Sequence, residues 1–199
     1  SPARGVTRGV RQIEPRSSGR RTTIAIRHTT GPERGRIGEI DRSEHVTQEY
    51  RYRRGTLEAR SVDIRVPPWS RFGAVEHSGQ GKVNAWQPIL DRGGTLVGAF
   101  DRDILVGFAI YRPDLAEGLA NLSVLHVSRS QRRKGIASLL TEEVARLARA
   151  DGASRLYVSA TPSVSTVEFY RSRGFELTDE PNEELFALEP DDIHMVRRL

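Results

Sequence analysis

The chain has 199 residues, 37% of them hydrophobic, enough to give one domain a sizeable core but too few to give two domains one each. It contains no cysteine, which excludes disulfides, thiolate metal sites and a cysteine nucleophile, and no apolar run reaches the length of a membrane span. The net charge of +5 lies in residues 1–22, where six arginines face Glu14 alone, so the remaining chain is formally neutral and a poor match for a phosphate-neutralising groove.

In chain order, residues 1–22 read as a solvated Arg-rich arm, too poor in apolar surface to order itself, and any nucleic-acid contact is confined to it. A single domain is expected over 23–199. Thr23 to His28 alternate with β-branched side chains as a first strand does. From Glu33 to Glu44, Ile37 and Ile40 stand three apart amid charge, which predicts a short amphipathic helix. Residues 49–53 and 56–66 flank Arg54-Gly55 as a hairpin, closed by Pro67-Pro68-Trp69, and residues 70–85 read as a polar loop bordered by Trp69 and Trp86. Two apolar strands, 95–100 and 104–111, meet at the turn Asp101-Arg102-Asp103. A strand over 119–127, a helix over 130–150 stopped by Asp151-Gly152, a strand over 155–160 and a helix from 163 to 173 follow. Strands are expected at 175–178, 185–188 and 193–198, and the order is that of a mixed α/β sheet without internal repeats.

The stretch Leu125-His126-Val127-Ser128-Arg129-Ser130-Gln131-Arg132-Arg133-Lys134-Gly135-Ile136-Ala137 carries the chemistry. It runs from a strand through a polar turn into a helix, whose first N–H groups lack intrahelical partners and sit at the positive end of the macrodipole, a ready anion site. Gly135 and Ala137 keep bulk away from an approaching pyrophosphate, and Arg132, Arg133 and Lys134 add charge. The alternative is an ordinary helix start with solvated arginines. A nucleotide P-loop is excluded because Lys134-Gly135 has the wrong order.

This stretch resembles the pyrophosphate-binding signature of the GNAT acetyltransferase superfamily, Gln/Arg-x-x-Gly-x-Gly/Ala, at Arg132, Gly135 and Ala137. The later Phe169-Tyr170-Arg171-Ser172-Arg173-Gly174-Phe175 resembles the family's Phe-Tyr-x-x-x-Gly-Phe. The resemblance covers 23–199, most clearly from about residue 95. It implies a GNAT fold of the mixed α+β type: a mostly antiparallel twisted sheet of six to seven strands flanked by helices, here with an extra hairpin after the first helix. It also implies acetyl-CoA as cosubstrate, held by the backbone of Leu125 and Val127 and by amides from Arg132 through Arg133, Lys134, Gly135, Ile136 and Ala137 to Ser138. Tyr170 takes the place of the tyrosine that protonates the departing thiolate, the alternative being aromatic packing beside Phe169. Ser163 stands where many members have an asparagine against pantetheine, and a hydroxyl supplies only part of that contact.

Where many relatives carry a glutamate base, this chain has Asn121, whose amide takes no catalytic proton. The proton acceptor is open between Asp41 or Glu44, Glu117, and water, with water favoured. His126 turns away from Leu125 and Val127 by strand alternation and reads as structural or solvated, and Asp192 with His194 does not by itself make a site. No His/Asp/Glu spacing points to a metal, and no Gly-x-Ser-x-Gly elbow occurs. Asp41, Glu44, Trp69, Trp86 and Asn121, with Arg36, are the candidates for the acceptor pocket. The favoured reading is a cytoplasmic N-acetyltransferase acting on the primary amine of a small molecule, as a monomer or a homodimer. Its rivals are a protein acetyltransferase and a non-catalytic acyl-CoA-binding module with a basic arm.

Overall fold

A computed structural model describes residues 11–13, 23–69 and 79–199. The central sheet is built on β5 (Thr95–Asp101), β6 (Ile104–Ala116) and β7 (Leu119–Val127), consecutive antiparallel strands rich in β-branched and aromatic residues. On one side β2 (Ile24–His28) pairs with β5, and β1 (Arg11–Ile13) with β2. On the other, β8 (Arg155–Ala160) runs parallel to β7, then β10 (Ile193–Arg198) and the two-residue β9 (Glu176–Leu177) complete an antiparallel edge. The order β1-β2-β5-β6-β7-β8-β10-β9 thus has one parallel pair, β7–β8, connected through α2 (Ile136–Ala150). The expected six to seven strands are present, with Arg11–Ile13 of the arginine-rich arm added at the edge. The rest of that arm, and residues 70–78 of the expected polar loop, lie outside the described residues.

One face of the sheet is covered by α2 and α3 (Val164–Ser172). Ile136, Leu140, Val144 and Leu147, on one stripe of α2, pack with Val97, Val106 and Val158. The helix lies close at Gly107, where a Cβ would come within 3.0 Å of the His126 carbonyl oxygen and 3.3 Å of Ile136, so a larger residue there would push away the start of α2. On the opposite face Phe100, Phe108 and Ile110 meet Ile37, Ile40 and Leu90.

Four expectations are corrected. The helix foreseen over 33–44 is a 3₁₀ helix over Pro32–Glu39, and Glu44 instead opens β3 (Glu44–Arg53). Ile37 and Ile40, both fully buried, sit three apart, which matches the three-residue period of a 3₁₀ helix, and Gly31, Gly35 and Gly38 weaken α-helix formation. Residues from 79 on are not loop but α1 (Gly79–Asp91), which carries Pro88 in its interior. The segment foreseen as a strand at 185–188 belongs to α4 (Glu183–Leu188). Asn182 caps it by accepting the Leu185 N–H at 3.1 Å, and Glu183 and Glu184 suit the positive first turn. Finally, β6 continues through Pro113, which is tolerated because the β6–β7 register breaks between Arg112 and Ala116.

β3 and β4 (Thr56–Val66) form the foreseen hairpin as a separate two-stranded sheet. It clasps the sheet's far end: the Tyr50 N–H donates to Pro162 O at 2.7 Å, the Tyr50 hydroxyl to Glu168 at 3.0 Å, and the Tyr52 hydroxyl to Asp179.

Candidate active site

β7 and β8 pair only over Leu119–Asn121 and Arg155–Tyr157, and then part, although β7 runs on to Val127 and β8 to Ala160. The ladder with β6 is continuous through this stretch apart from a bulge at Ser123, the one residue left over between Leu122, opposite Tyr111, and Val124, opposite Ile110. The Ser128 N–H donates to Val106 O at 2.9 Å. By antiparallel alternation, His126 also turns its backbone toward β6, while the N–H and C=O groups of Leu125 and Val127 point into the gap beside β8. The two strands therefore open a slot edged by backbone groups that share no ladder with β8.

The slot leads to the turn before α2. Arg133 (φ 61°) and Gly135 (φ 83°) are both left-handed, and Gly135 caps the helix without a side-chain hydrogen bond. A Cβ on Gly135 would have nothing within 4 Å, so the space beside the first helical N–H groups is open to a ligand. Arg132 does not face that space. Its Nε donates to Val127 O at 3.2 Å, one Nη to Arg42 O at 3.1 Å, and the other lies 3.5 Å from Glu44. It braces the turn against β7 and the start of β3. Lys134 donates to Gln131 at 2.9 Å.

Tyr170 of α3 is 7% exposed, edge-on to Phe169 and Phe175. Among the described residues its hydroxyl has no hydrogen-bond partner. Burial, with the charge of Asp192, pushes the phenol well above its ordinary range, so it keeps its proton. Ser163 uses its hydroxyl as the N-cap of α3, accepting from Thr166 N at 3.3 Å and donating to Thr166 Oγ1 at 2.8 Å. Asn121 is buried at the last rung before the strands part, its Nδ2 donating to Tyr157 O at 3.0 Å and its Oδ1 accepting from Ser123. Both ends of the amide are used in holding that junction.

The structure does not gather the sequence-derived acceptor candidates. Asp41 sits by the phosphate-side turn, its N–H donating to the Ser128 hydroxyl oxygen, its C=O accepting the Arg129 N–H, and its carboxylate held below the usual range by hydrogen bonds from Ser43. Glu44 lies between Arg132 and Ser165. Trp69 and Trp86 pack edge to face, centroids 6.5 Å apart, beside Phe108 and His126 on the face opposite α2. What sequence reasoning missed is a cavity of about 640 Å³ between the hairpin, the loop before α3 and the 178–194 segment, and none of those candidates lines it. Its walls carry Tyr50, Tyr52 and Phe186 with Asp179, Asp191 and Asp192. Arg60, also on the wall, is neutralised by Glu49, 2.7 Å from its Nε. Beside it, the Tyr157 hydroxyl accepts the Asn182 N–H at 3.0 Å and so donates to His194 Nδ1 at 2.8 Å, leaving Nε2–H for Glu189 O at 3.2 Å. His194 is structural in this chain of bonds. Asp192 is the exception on this wall: burial and the neighbouring Glu189 and Asp191 raise its carboxyl to about 7.

His126 lies where alternation puts it, enclosed by Trp69 and Phe108, and burial with the positive charges of Arg42, Arg132 and Lys82 lowers it to about 4. Unfolded, this imidazole protonates near 6.5; folded, near 4. Its contribution to stability is therefore complete above pH 6.5 and is lost as pH falls toward 4, on the order of 3 kcal/mol. Denaturant melts from pH 7 to 4 should show this loss in the parent and not in His126→Gln. Asp192, shifted the other way, acts in the opposite sense over the same range in both proteins, so their difference isolates the histidine.

No helix among the described residues is long and apolar enough to cross a membrane, and no group of three His, Asp or Glu among them could hold a metal. No curated protein matches the sequence. Among solved structures, nourseothricin acetyltransferase is 19% identical, covering 88% of this chain and 98% of its own, with a TM-score of 0.65. A Bacillus anthracis str. Ames protein assigned as a streptothricin acetyltransferase, solved with acetyl coenzyme A, is 14% identical over 88% and 98%, TM-score 0.67. The PaiA N-acetyltransferase of Thermoplasma acidophilum, solved with coenzyme A, is 15% identical over 88% and 99%, TM-score 0.58. These likenesses establish the fold. Residues 62–175, more than half of the chain and the part that holds the parted strands and the turn before α2, match the model of the Acetyltransferase (GNAT) family. The chain belongs to the GNAT family of acetyltransferases.

Proposed function

We propose that the protein transfers the acetyl group of acetyl-CoA to a primary amine of a small cationic molecule held in the 640 Å³ cavity. The observation that carries the acceptor reading is the cavity's form: it is roofed by the hairpin, sized for a small molecule, and lined by aromatic rings with more carboxylates than cations. A shallow groove would suit a protein substrate better. The names of two structural neighbours, nourseothricin and streptothricin acetyltransferase, are consistent with small-molecule acceptors.

The open space at Gly135 and the free first-turn amides up to Ser138 fit the pyrophosphate, and the gap-facing backbone of Leu125 and Val127 fits the pantetheine arm. In this reading the Val127 N–H polarises the thioester carbonyl, and the Tyr170 phenol supplies the proton that the leaving thiolate needs.

Thiol release from acetyl-CoA, measured over a panel of amines, tests this. We expect diamines and amino sugars to exceed acidic amino acids in kcat/KM by at least about tenfold, with the preference shrinking as salt is raised. If free amines fail while proteins in a lysate become acetylated, the acceptor is a protein; if CoA binds and neither is acetylated, the chain is a binding module.

A further inference from the structure

We propose that Asp192 is the group that accepts the proton from the incoming amine. The inference rests on the cavity being the acceptor site.

Asp192 precedes Ile193, the first residue of β10, which pairs with Ala160 at the end of β8, where β8 has already parted from β7. It lines the cavity, and its charge helps to hold the Tyr170 phenol in the protonated form. Among the described residues it has neither an ion-pair partner nor a side-chain hydrogen bond. The other carboxylates of the wall are engaged: Glu49 with Arg60, and Asp179 with the Tyr52 hydroxyl. Asp191 is exposed.

The groups that face Asp192 define its titration. On its own segment Glu189 and Asp191 repel its charge, and from α3 the Tyr170 phenol is neutral. The hairpin presents Tyr50 and Tyr52, the Glu49–Arg60 pair and Arg51, and β10 presents His194, held neutral by burial. Among the described residues no cation comes close enough to offset the burial, so the carboxyl loses its proton near pH 7. A base with that affinity takes a proton readily and returns it to water readily.

The protons balance as follows. A protonated amine, R–NH₃⁺, gives one proton to Asp192, and the freed lone pair forms the C–N bond to the thioester carbonyl carbon. As the C–S bond breaks, sulfur takes the Tyr170 proton. The nitrogen's second proton restores Tyr170, and Asp192 releases the first to solvent. The products are the acetamide, free CoA thiol and one proton. Asn121, at the position of the usual glutamate, takes no part.

The test is kcat/KM against pH for 1,5-diaminopentane, whose amines, like that of lysine, stay protonated to about pH 10. We expect the parent to rise through a midpoint near 7 and then level. Asp192→Asn should be at least about tenfold slower at pH 7 and keep rising toward the amine's own ionisation. O-methylhydroxylamine, which enters unprotonated, should be turned over equally by both, and CoA affinity by calorimetry should be unchanged. An identical profile in Asp192→Asn overturns the base. If Thr178→Trp, which fills the cavity from its rim, still raises KM for the diamine, the acceptor site stands without it. If that substitution has no effect either, or the parent does not turn over the diamine, the cavity reading falls and the base with it.

Discussion

Replacing Gly135 with glutamate is expected to weaken coenzyme A binding at least about 100-fold, close to 2.7 kcal/mol, while leaving the fold in place. Gly135 sits at φ 83°, and apart from its chain neighbours no atom of the described residues lies within 4 Å of where its Cβ would be, so a side chain there enters the space assigned to the pyrophosphate. A carboxylate at that point also competes for the first-turn amides of α2 and repels the phosphates. The left-handed backbone adds about 1–2 kcal/mol of strain, which should lower Tm by a few degrees. Gly135→Ala carries that strain without the charge. It should therefore reproduce the Tm shift and lose less affinity than the glutamate variant. Calorimetric titration with CoA and a thermal melt of each variant decide the matter, and full affinity in Gly135→Glu would remove this turn as the binding site.

The second large effect is expected at Tyr170→Phe, with kcat falling about 100-fold and CoA affinity unchanged. The Tyr170 hydroxyl has no partner among the described residues, so removing it breaks no internal hydrogen bond, and the ring contacts with Phe169 and Phe175 survive in phenylalanine. Thermal stability should hold or rise slightly. Burial keeps the phenol protonated throughout the neutral range, so this group should add no fall in rate on the alkaline side below the ordinary tyrosine range. Steady-state kinetics at saturating acetyl-CoA measure the effect, and an unchanged kcat would make Tyr170 a packing residue.

The parts of the fold legible in the sequence were those with a clean period and a clear stop. The hairpin β5–β6 turns at Asp101-Arg102-Asp103, and α2 shows its buried stripe from Ile136 to Leu147 and ends at Asp151-Gly152. α1 was hidden because Gly79, Gly81 and Pro88 are breakers by composition, although Trp86, Ile89 and Leu90 recur at helical spacing. At Glu33 to Glu44 the three-residue spacing predicts a short amphipathic helix, and the helix that forms is a 3₁₀ helix that ends at Glu39.

The site divides in the same way. Its phosphate-side turn is one continuous segment, so it was readable as a motif, yet the inward turn of the Arg132 side chain toward Val127 and Arg42 was not. The cavity joins residues 49–60, 162 and 178–194, far apart in the chain and without a shared pattern. Asp192 and His194 looked like a pair, and the structure separates them: the histidine is bound into the Tyr157 chain, and the carboxylate has no partner among the described residues.

The hairpin β3–β4 shares no ladder with the eight-stranded sheet and, beyond Glu44 at its base beside Arg132 and Ser165, meets the sheet's far end through the backbone contact at Pro162 and the two tyrosine hydroxyls. Its length and side chains are therefore open to variation without shifting the β6–β7 register or the slot between β7 and β8. In a lineage that keeps its acyl donor and changes its acceptors, this is an exchangeable part: a wall that drifts or is grafted while the machinery on the other side stays the same.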